Sequence, residues 1–341
     1  MKILSVSLLF ALMTTMNISF AADTPSTNQV SKGLLLVCNK GDHTVSMIDP
    51  QSGAQLASVD VEGVTGHEVA ASADGKFAFV PIYGNSGVGH PGTDGRMIRV
   101  IDLKKRAITA MIDFGRGIRP HCAVIGPKDK LLYVTTELEN AIQVIDPTTF
   151  QILGSVPTGQ SESHMLAISG DGRFGYTANV GPGTVSVIDL HAKKTLVIIP
   201  VAKSVQRISV STDDKRVFTS DQTRPRLAVI DAAQNKVVNW IDLPGIGYGT
   251  APTPDGRWLI VAMNGINQIG IVDLKMLKIA QTIDVPKTPQ AIVVRPDGAF
   301  AYVSCDATRQ VAVIDLKNFT VAKLIPAGKG ADGLAWVKAS E

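Results

Sequence analysis

One short pattern recurs seven times along the chain and constrains the fold more than any other feature. It is an apolar strand that ends in a Val-Ile-Asp-like sequence, and its aspartates are Asp49, Asp102, Asp146, Asp189, Asp231, Asp273 and Asp315. Successive aspartates are separated by 53, 44, 43, 42, 42 and 42 residues. A repeat of this length is typical of propeller blades or solenoid units, in which each repeat is one supersecondary unit.

A second recurrent pattern is a tight turn that ends in Asp-Gly. It occurs at Ser72–Gly75, Ser169–Gly172, Thr253–Gly256 and Arg295–Gly298. Asp-Gly between alternating apolar runs is the strongest short hairpin signal. A Tyr-Val-like strand follows the turn, as in Tyr133-Val134. Each repeat therefore predicts four short strands, named A to D from the inside outwards, and no segment has helical length or period.

The two ends of the repeat region distinguish a ring from a rod. The region begins with strand B at Leu34–Cys38 and ends with a lone strand A at Gly333–Val337. In a ring the last strand completes the first unit, and closure removes the open sheet edges that favour aggregation. A solenoid would require polar capping repeats. The sequence therefore predicts an all-β, seven-bladed β-propeller of four-stranded blades, closed by the C-terminal strand joining the first blade.

The repeats resemble the YVTN family of β-propeller repeats over about residues 33–337, through the Asp-Gly turn, the Tyr-Val strand and the Val-Ile-Asp strand. WD40 repeats are excluded because their Gly-His and Trp-Asp signatures are absent. The resemblance extends to the d1-haem domain of cytochrome cd1 nitrite reductase and to quinoprotein amine dehydrogenase propellers. It implies the fold rather than an activity, because one fold hosts many functions.

The N-terminal residues resemble a secretory signal. Lys2 precedes a short apolar run, Ile3–Met13, and the small residues Ala21 and Ala22 follow. We expect a signal peptide at 1–22, a flexible lead-in at 23–32, the propeller at 33–338 and a tail at 339–341. The apolar run is too short for an ordinary membrane span. The predicted mature protein is periplasmic or secreted, with no membrane span after signal removal.

Charge and cysteine content exclude some partners. The formal net charge is +3 and no basic run occurs, so nucleic-acid binding is not expected. We expect a monomer. There is no Cys-x-x-Cys-His motif, which excludes covalent c-type haem. Cys38 and Cys305 end strand B of the first and seventh blades, so either a disulfide across the ring seam or two buried thiols is compatible with the sequence. Cys122 is expected to pack between blades.

The candidate site comes from aligning the starts of the inner strands. The residue five places before each turn is polar in every blade, and the aligned residues are His67, His121, His164, Gln206, Tyr248 and Gln290, with Asp332 on the closing strand. In a propeller these residues lie at one mouth of the central channel. The Val-Ile-Asp aspartates, by contrast, are interpreted as structural, because an Asp side chain can bond the backbone of its own turn.

Three neutral imidazoles predict a metal or small-ligand site. Zn or Cu would suit His67, His121 and His164. A haem-type cofactor ranks lower, since the full d1 sequence pattern is absent, although His121 best fits the channel-mouth histidines of that family. Arg119 and Arg207 are candidate anion anchors. His90 lies in an insertion, residues 83–96, that either covers the mouth or is a surface loop.

The sequence leaves several functions open. The first is an exported propeller that binds a metal, small ligand or cofactor at the histidine-rich mouth, with a possible redox association. The same mouth could instead be polar without chemistry. The alternatives are a non-catalytic scaffold that binds another exported protein through its loop face, and a lactonase or lyase-type enzyme. No nucleophile elbow or paired carboxylates support the last.

Overall fold

A computed structural model of the protein describes residues 33–338, whose regular structure is β-strand apart from three single 3₁₀ turns. The predicted signal peptide, the lead-in up to residue 32 and the tail at 339–341 lie outside the described residues. Seven four-stranded antiparallel sheets follow one another along the chain. The sheets of the seventh, first and second blades pack through β24 (Pro289–Val294), β28 (Ala331–Lys338) and β4 (Ala70–Ala71), which closes a ring. The predicted all-β, seven-bladed propeller is confirmed.

Each blade is a meander whose innermost strand comes first in the chain, except in the first blade, where the innermost strand is the C-terminal β28. In the first blade the strands that follow β28 are β1 (Gly33–Asn39), β2 (Thr44–Ile48) and β3 (Gln55–Asp60). In the second blade β4 is followed by β5 (Phe77–Gly84), β6 (Asp94–Asp102) and β7 (Ala107–Asp113). The third blade has β8 (Pro120–Ile125), β9 (Leu132–Thr136), β10 (Ala141–Ile145) and β11 (Ile152–Pro157).

The remaining blades follow the same order. The fourth has β12 (Ser163–Ile168), β13 (Phe174–Asn179), β14 (Thr184–Asp189) and β15 (Lys194–Pro200), and the fifth has β16 (Val205–Val210), β17 (Arg216–Asp221), β18 (Arg226–Asp231) and β19 (Lys236–Asp242). The sixth has β20 (Thr250–Pro252), β21 (Trp258–Met263), β22 (Gln268–Asp273) and β23 (Lys278–Asp284). The seventh has β24, β25 (Phe300–Cys305), β26 (Gln310–Asp315) and β27 (Thr320–Pro326). The 3₁₀ turns are Glu137–Glu139, Asn264–Ile266 and Asp306–Thr308.

Ring closure uses the strand that the sequence predicts. In the antiparallel pair of β28 and β1, Val337 lies opposite Leu34 and Ala335 lies opposite Leu36. Trp336 stacks on Tyr302 of the seventh blade, with ring centroids 5.7 Å apart. The closing strand therefore completes the first blade by hydrogen bonds and seals the seam by aromatic packing.

The two repeated motifs both serve as turns. At the first Asp-Gly turn, Ser72 Oγ donates to Asp74 Oδ1, and Gly75 adopts φ +70° and donates its N–H to the Ser72 carbonyl. Only glycine takes that conformation without strain. All seven Val-Ile-Asp aspartates accept a backbone N–H two or three residues further on, as Asp49 does from Gln51 at 2.9 Å. The structural interpretation of these aspartates is confirmed.

The core lies between neighbouring blades, because each sheet buries both faces near the channel. Strand B of the first blade shows this, since Leu35, Leu36 and Val37 are fully buried. Alternate residues face opposite neighbours. Thus Leu36 packs with residues of the second blade and Leu35 with residues of the seventh. Stability is distributed around the ring, which leaves the loops at the channel mouth free to carry other side chains.

Candidate functional site

The channel mouth encloses a cavity of about 220 Å³, here called the mouth cavity. Six of the seven aligned strand-start residues line it, namely His67, His121, His164, Gln206, Tyr248 and Asp332, and so does Arg207. Each comes from the start of an inner strand, so the ring geometry brings side chains from six blades to one place. Gln290 is buried but is not among the lining residues.

The three predicted histidines form one cluster, here called the histidine cluster. The rings of His121 and His164 are stacked with centroids 3.6 Å apart, and the ring of His67 meets His121 edge-on at 4.4 Å. The Nε2 atoms of His67 and His121 are in contact. The Gln206 amide donates to His164 Nε2 at 3.4 Å. The Nδ1 atoms of His121 and His164 are buried without a hydrogen-bond partner.

Burial keeps the histidine cluster neutral. Desolvation lowers the pKa of His67 to about 4, and the cations Lys40 and Arg207 add to this effect while Asp332 opposes it. Desolvation and the neighbouring imidazoles hold the pKa values of His121 and His164 well below the ordinary value. Neutral imidazole is the form that binds metals. The cluster therefore has ligand chemistry available at neutral pH.

The expected three-histidine zinc or copper site is not formed. Within residues 33–338, no three His, Cys, Asp or Glu side chains are arranged to hold one metal ion. The stacking of His121 on His164 places the two rings face to face, whereas ligands of a tetrahedral ion point at a common centre. The cluster brings its members together as predicted, but not in the arrangement that a mononuclear zinc site requires.

An ionic network lies against the cluster. Arg207 Nη2 donates to Asp332 Oδ1 at 3.0 Å and lies 2.9 Å from Glu68 Oε1, a contact with the distance of an ion pair but without the alignment of a hydrogen bond. Lys40 Nζ pairs with Asp332 at 3.0 Å and with Asp306 at 2.8 Å. Arg207 belongs to the fifth blade and Glu68 to the second, so their contact spans the channel. Lys40, Arg207 and Asp332 line the mouth cavity, and these three residues together with Glu68 and Asp306 are here called the ionic floor.

The two carboxylates that share Arg207 have different environments. Arg207 and Lys40 outweigh burial at Asp332 and hold the pKa of that carboxyl below its usual range. At Glu68 burial, together with the nearby Asp332, outweighs Arg207 and Lys40 and raises the pKa to about 7. Asp332 is therefore the permanent anion of the network, and Glu68 is the group that gains or loses a proton near neutrality.

The insertion lies over the mouth cavity. Residues 85–93 connect β5 to β6 and are here called the strap. Ser86, Gly87 and Val88 line the cavity. Thr93 N–H donates to Asn85 Oδ1 at 2.7 Å, which ties the two ends of the strap together. The sequence left open whether this insertion covers the channel mouth or is a surface loop. Its place beside the mouth cavity matches the first interpretation.

Arg119 is not available as an anion anchor, contrary to the expectation from sequence. Its Nε donates to Asp94 at 2.6 Å, Nη1 donates to Glu137 at 2.9 Å and Nη2 donates to the His90 carbonyl at 2.8 Å. Glu137 also accepts a hydrogen bond from the Tyr83 hydroxyl. Every nitrogen of this guanidinium is thus directed at the protein. Of the two proposed anchors, only Arg207 faces the mouth cavity, and it is already paired.

His90 lies on the same face but outside the mouth cavity. It is exposed and lines a neighbouring open pocket of about 350 Å³ together with Arg119, Glu137 and Glu162. Its contribution to the site is its backbone carbonyl, which holds Arg119. The imidazole of His90 is therefore separate from the histidine cluster.

The cysteines are three buried thiols. Cys38 packs with residues of the second blade and Cys305 with residues of the sixth, so they face away from the seam between them. Of the two sequence possibilities, buried thiols are the one observed. Cys122 packs between the third and fourth blades as expected. Burial raises the pKa values of Cys122 and Cys305 to about 12, which makes these thiols unreactive.

Several residues of the site were not found from the sequence. Lys40 and Tyr83 line the mouth cavity, Glu68 belongs to the ionic floor, and Glu137 links Tyr83 to Arg119. Glu68 directly follows the aligned residue His67, just as Arg207 follows Gln206, so reading one residue past each strand start would have found it. Glu137 lies in the 3₁₀ turn after β9, and turns of the same kind follow β21 and β25. Only the folded ring brings Glu137 next to the insertion.

Comparison with known proteins agrees with the fold. Residues 126–252 match the family model described as Cytochrome D1 heme domain. A stretch of 120 residues is 28% identical to 6-phosphogluconolactonase of Bacillus subtilis (strain 168) and spans 32% of this chain and 33% of that protein. This chain therefore matches about a third of the length of that curated relative.

Solved structures with the same fold cover most of the chain. Hydrazine synthase of Kuenenia stuttgartiensis aligns with a TM-score of 0.71 at 20% identity, over 87% of this chain and 99% of that one. Dihydro-heme d1 dehydrogenase NirN in complex with DHE aligns with a TM-score of 0.65 at 15% identity, over 92% and 77% respectively. A functionally unknown protein of Desulfotomaculum acetoxidans DSM 771 aligns with a TM-score of 0.72 at 12% identity, over 89% and 98%.

The chain is thus a seven-bladed β-propeller with a histidine-rich channel mouth. Its central repeats are similar to the Cytochrome D1 heme domain, as the resemblance found in the sequence implied. The description of the matching family model names a haem, and none of these comparisons names zinc or copper. Residues 33–338 contain no helix long and apolar enough to cross a membrane.

Proposed function

We propose that this propeller binds a haem-type group, an iron tetrapyrrole, at its channel mouth, with the histidine cluster as the source of the iron ligand. The observation that carries the proposal is the set of three buried, neutral imidazoles at one mouth of a propeller whose repeats match a haem-domain family. The relative described as a d1-haem dehydrogenase in complex with DHE supports the same class of ligand.

The donor chemistry of the cluster fits such a group. Imidazole is a common axial ligand of haem iron, and the second ring nitrogen of an axial histidine is normally hydrogen-bonded. In His121 and His164 the Nε2 atoms contact His67 and Gln206, whereas the Nδ1 atoms are buried and unpartnered. Such an orphaned polar atom is costly unless the other state of the site satisfies it. One of these two residues, His121 or His164, is therefore the one that would hold the iron.

The volume of the mouth cavity fits only part of such a group. About 220 Å³ is below the roughly 300–1,000 Å³ of pockets that enclose a drug-sized ligand. Ser86, Gly87 and Val88 of the strap line the cavity beside the histidine cluster. A macrocycle therefore enters only when the strap moves aside. When bound, an iron tetrapyrrole would supply a redox-active centre whose potential depends on its axial ligand and on the surrounding burial.

The residues of this chain define what surrounds the group. The three imidazoles are uncharged and the floor pairs two cations, Arg207 and Lys40, with the anions Glu68, Asp306 and Asp332. Glu68 is the group on the floor that titrates near neutrality. A proton can thus be stored beneath the site without leaving an unpaired charge. The proposal includes export to the periplasm, on the basis of the predicted signal peptide.

Titration with hemin, iron protoporphyrin IX, tests the proposal. The mature chain, purified without a histidine tag, should bind one hemin per chain, with a shift of the Soret absorbance band. His121→Ala and His164→Ala should each weaken binding by at least about tenfold, equivalent to about 1.4 kcal/mol. The matched control is His191→Ala, because His191 is exposed in a turn between β14 and β15. Absence of saturable binding, or equal affinity in all four proteins, would refute the proposal.

A lactonase-type hydrolysis is the second candidate, favoured by the partial similarity to 6-phosphogluconolactonase and by the acid–base groups on the cavity floor. Arg207 would orient an anionic substrate and Glu68 would move the proton. Hydrolysis of 6-phosphogluconolactone by the wild-type protein, lost in Glu68→Gln and retained in His191→Ala, would support this activity. A rate equal to the uncatalysed background would exclude it.

A further inference from the structure

The strap is held at the channel mouth by an ionic network of its own. Gly89 N–H donates to Glu137 Oε1 at 3.0 Å, and Arg119 donates to the His90 carbonyl at 2.8 Å. Both are charge-assisted hydrogen bonds, which are stronger than neutral ones. Glu137 and Arg119 belong to the third blade, whereas the strap belongs to the second. The strap therefore crosses from one blade to the next and is fastened at its far end.

The two fastening residues are themselves fixed. The side chains of Arg119 and Glu137 are 6% and 3% exposed and pair with each other. Arg119 also pairs with Asp94, the first residue of β6, and Glu137 accepts from the Tyr83 hydroxyl near the end of β5. The network thus binds both ends of the strap as well as its middle. A flexible surface loop would not require such an arrangement.

The strap lies between the solvent and the histidine cluster. Its residues 86–88 line the mouth cavity together with the three imidazoles, and the Tyr83 ring lies within 5.4–6.4 Å of all three imidazole centroids. Gly87 and Gly89 are exposed, whereas His121 and His164 are buried, and the cavity they share with the strap has a volume of about 220 Å³. A ligand that contacts the imidazoles must therefore either fit beneath the strap or displace it.

We infer that the strap determines which ligands reach the histidine cluster, admitting small molecules while closed and a macrocycle only after Glu137 and Arg119 release it. The inference rests on the proposed function for the identity of the large ligand. The coverage of the histidines by the strap is independent of that function. Release breaks two charge-assisted hydrogen bonds and leaves the β-propeller intact, because residues 85–93 contribute no strand to any blade.

Two variants open the strap in different ways. In the first, Asn-Gly replaces residues 85–93, since a two-residue turn of that type closes an antiparallel hairpin. In the second, Glu137→Gln removes the charge that fastens Gly89 and Arg119 while keeping the size of the side chain. The matched control is Glu139→Gln, because Glu139 lies two residues away and pairs with Arg116 on the surface.

Chemical modification reports on coverage without any ligand. Diethyl pyrocarbonate acylates accessible neutral imidazoles, and mass spectrometry locates the modified residues. In the wild-type protein and in Glu139→Gln, His121 and His164 should react at least about tenfold more slowly than exposed His191, the factor given by a closing free energy of about 1.4 kcal/mol. In both opened variants their rates should approach that of His191. Equal rates in wild-type and opened proteins would overturn the inference.

Stopped-flow association of hemin separates the inference from the proposed function. Both opened variants should bind hemin at least about tenfold faster than the wild type, and Glu139→Gln should match the wild type. Hemin binding at unchanged rates in the opened variants would overturn the inference while the proposed function stands. If the histidines are modified faster in the opened variants but no protein binds hemin, the strap covers the histidines and the haem proposal is refuted.

Discussion

Replacing Arg207 by methionine should destabilise the protein strongly and in a pH-dependent way. Arg207 is buried between Glu68 and Asp332, whose side chains are 10% and 6% exposed. In the variant Asp332 keeps Lys40 at 3.0 Å, but Glu68 loses its ion-pair partner. Where Glu68 is ionised, removing one partner of this buried ion pair costs about 3–5 kcal/mol, because an uncompensated charge remains.

The pH dependence follows from Glu68. Burial already raises the pKa of Glu68 to about 7, whereas an unfolded Glu titrates at about 4.3. Without Arg207 the folded-state pKa rises further. At pH 6 Glu68 is protonated in both folded proteins. Above pH 7 the wild type releases this proton, but the folded variant must keep it or bury an unpaired charge. The stability deficit of the variant should therefore widen from pH 6 to pH 8, by up to about 1.4 kcal/mol per pH unit.

Urea unfolding at pH 6 and pH 8 measures both effects. The matched control is Arg173→Met, since Arg173 is 60% exposed and lies 3.5 Å from Asp189. An exposed ion pair contributes about 0–1 kcal/mol, so this control should change stability little. A deficit for Arg207→Met no larger than that of the control, or a deficit that narrows towards pH 8, would show that the floor network is not a buried charge network.

Three further predictions test other parts of the structure. Burial depresses the pKa values of the clustered histidines below the unfolded value of about 6.5, so the chain takes up protons when it unfolds. The free energy of unfolding, measured with urea, should therefore fall as the pH drops from 6.5 to 4. His164→Gln should weaken this pH dependence, whereas His191→Gln should leave it unchanged. Truncation after Gly330 removes β28 and should abolish a soluble monomer in size-exclusion chromatography, whereas truncation after Lys338 should leave it unchanged. Ellman's reagent should detect no thiol in the native protein and three after unfolding; fewer than three would indicate a disulfide.

The fold could be predicted because it is encoded locally and repeated. Seven Val-Ile-Asp strands and the Asp-Gly turns each specify a hairpin through contacts within a few residues, as Asp49 and Gly75 show. The repeat region begins with a strand B and ends with a lone strand A, and these two strands complete one blade only if the ring closes. A repeat whose sequence departs from the pattern does not change the predicted fold, since the other repeats predict the same blade.

The site was only partly predictable. Aligning the repeats located the histidine cluster, Gln206, Tyr248 and Asp332, because each of them occupies the same place in its blade. The choice of Arg119 as an anion anchor was wrong, since the sequence does not show that Asp94 and Glu137 would use its donors. Charge pairing depends on distances across the ring, and no local pattern encodes these distances.

The sequence by itself determined the seven blades, their turns and the closing strand, because hairpin and strand signals act over short stretches of chain. Only the tertiary structure decided how the polar side chains pair at the channel mouth. It directed Arg207 to Glu68 across the channel, stacked His121 on His164, and fastened the strap to Glu137. These contacts join blades that lie far apart in sequence, so their geometry depends on the closed ring as a whole.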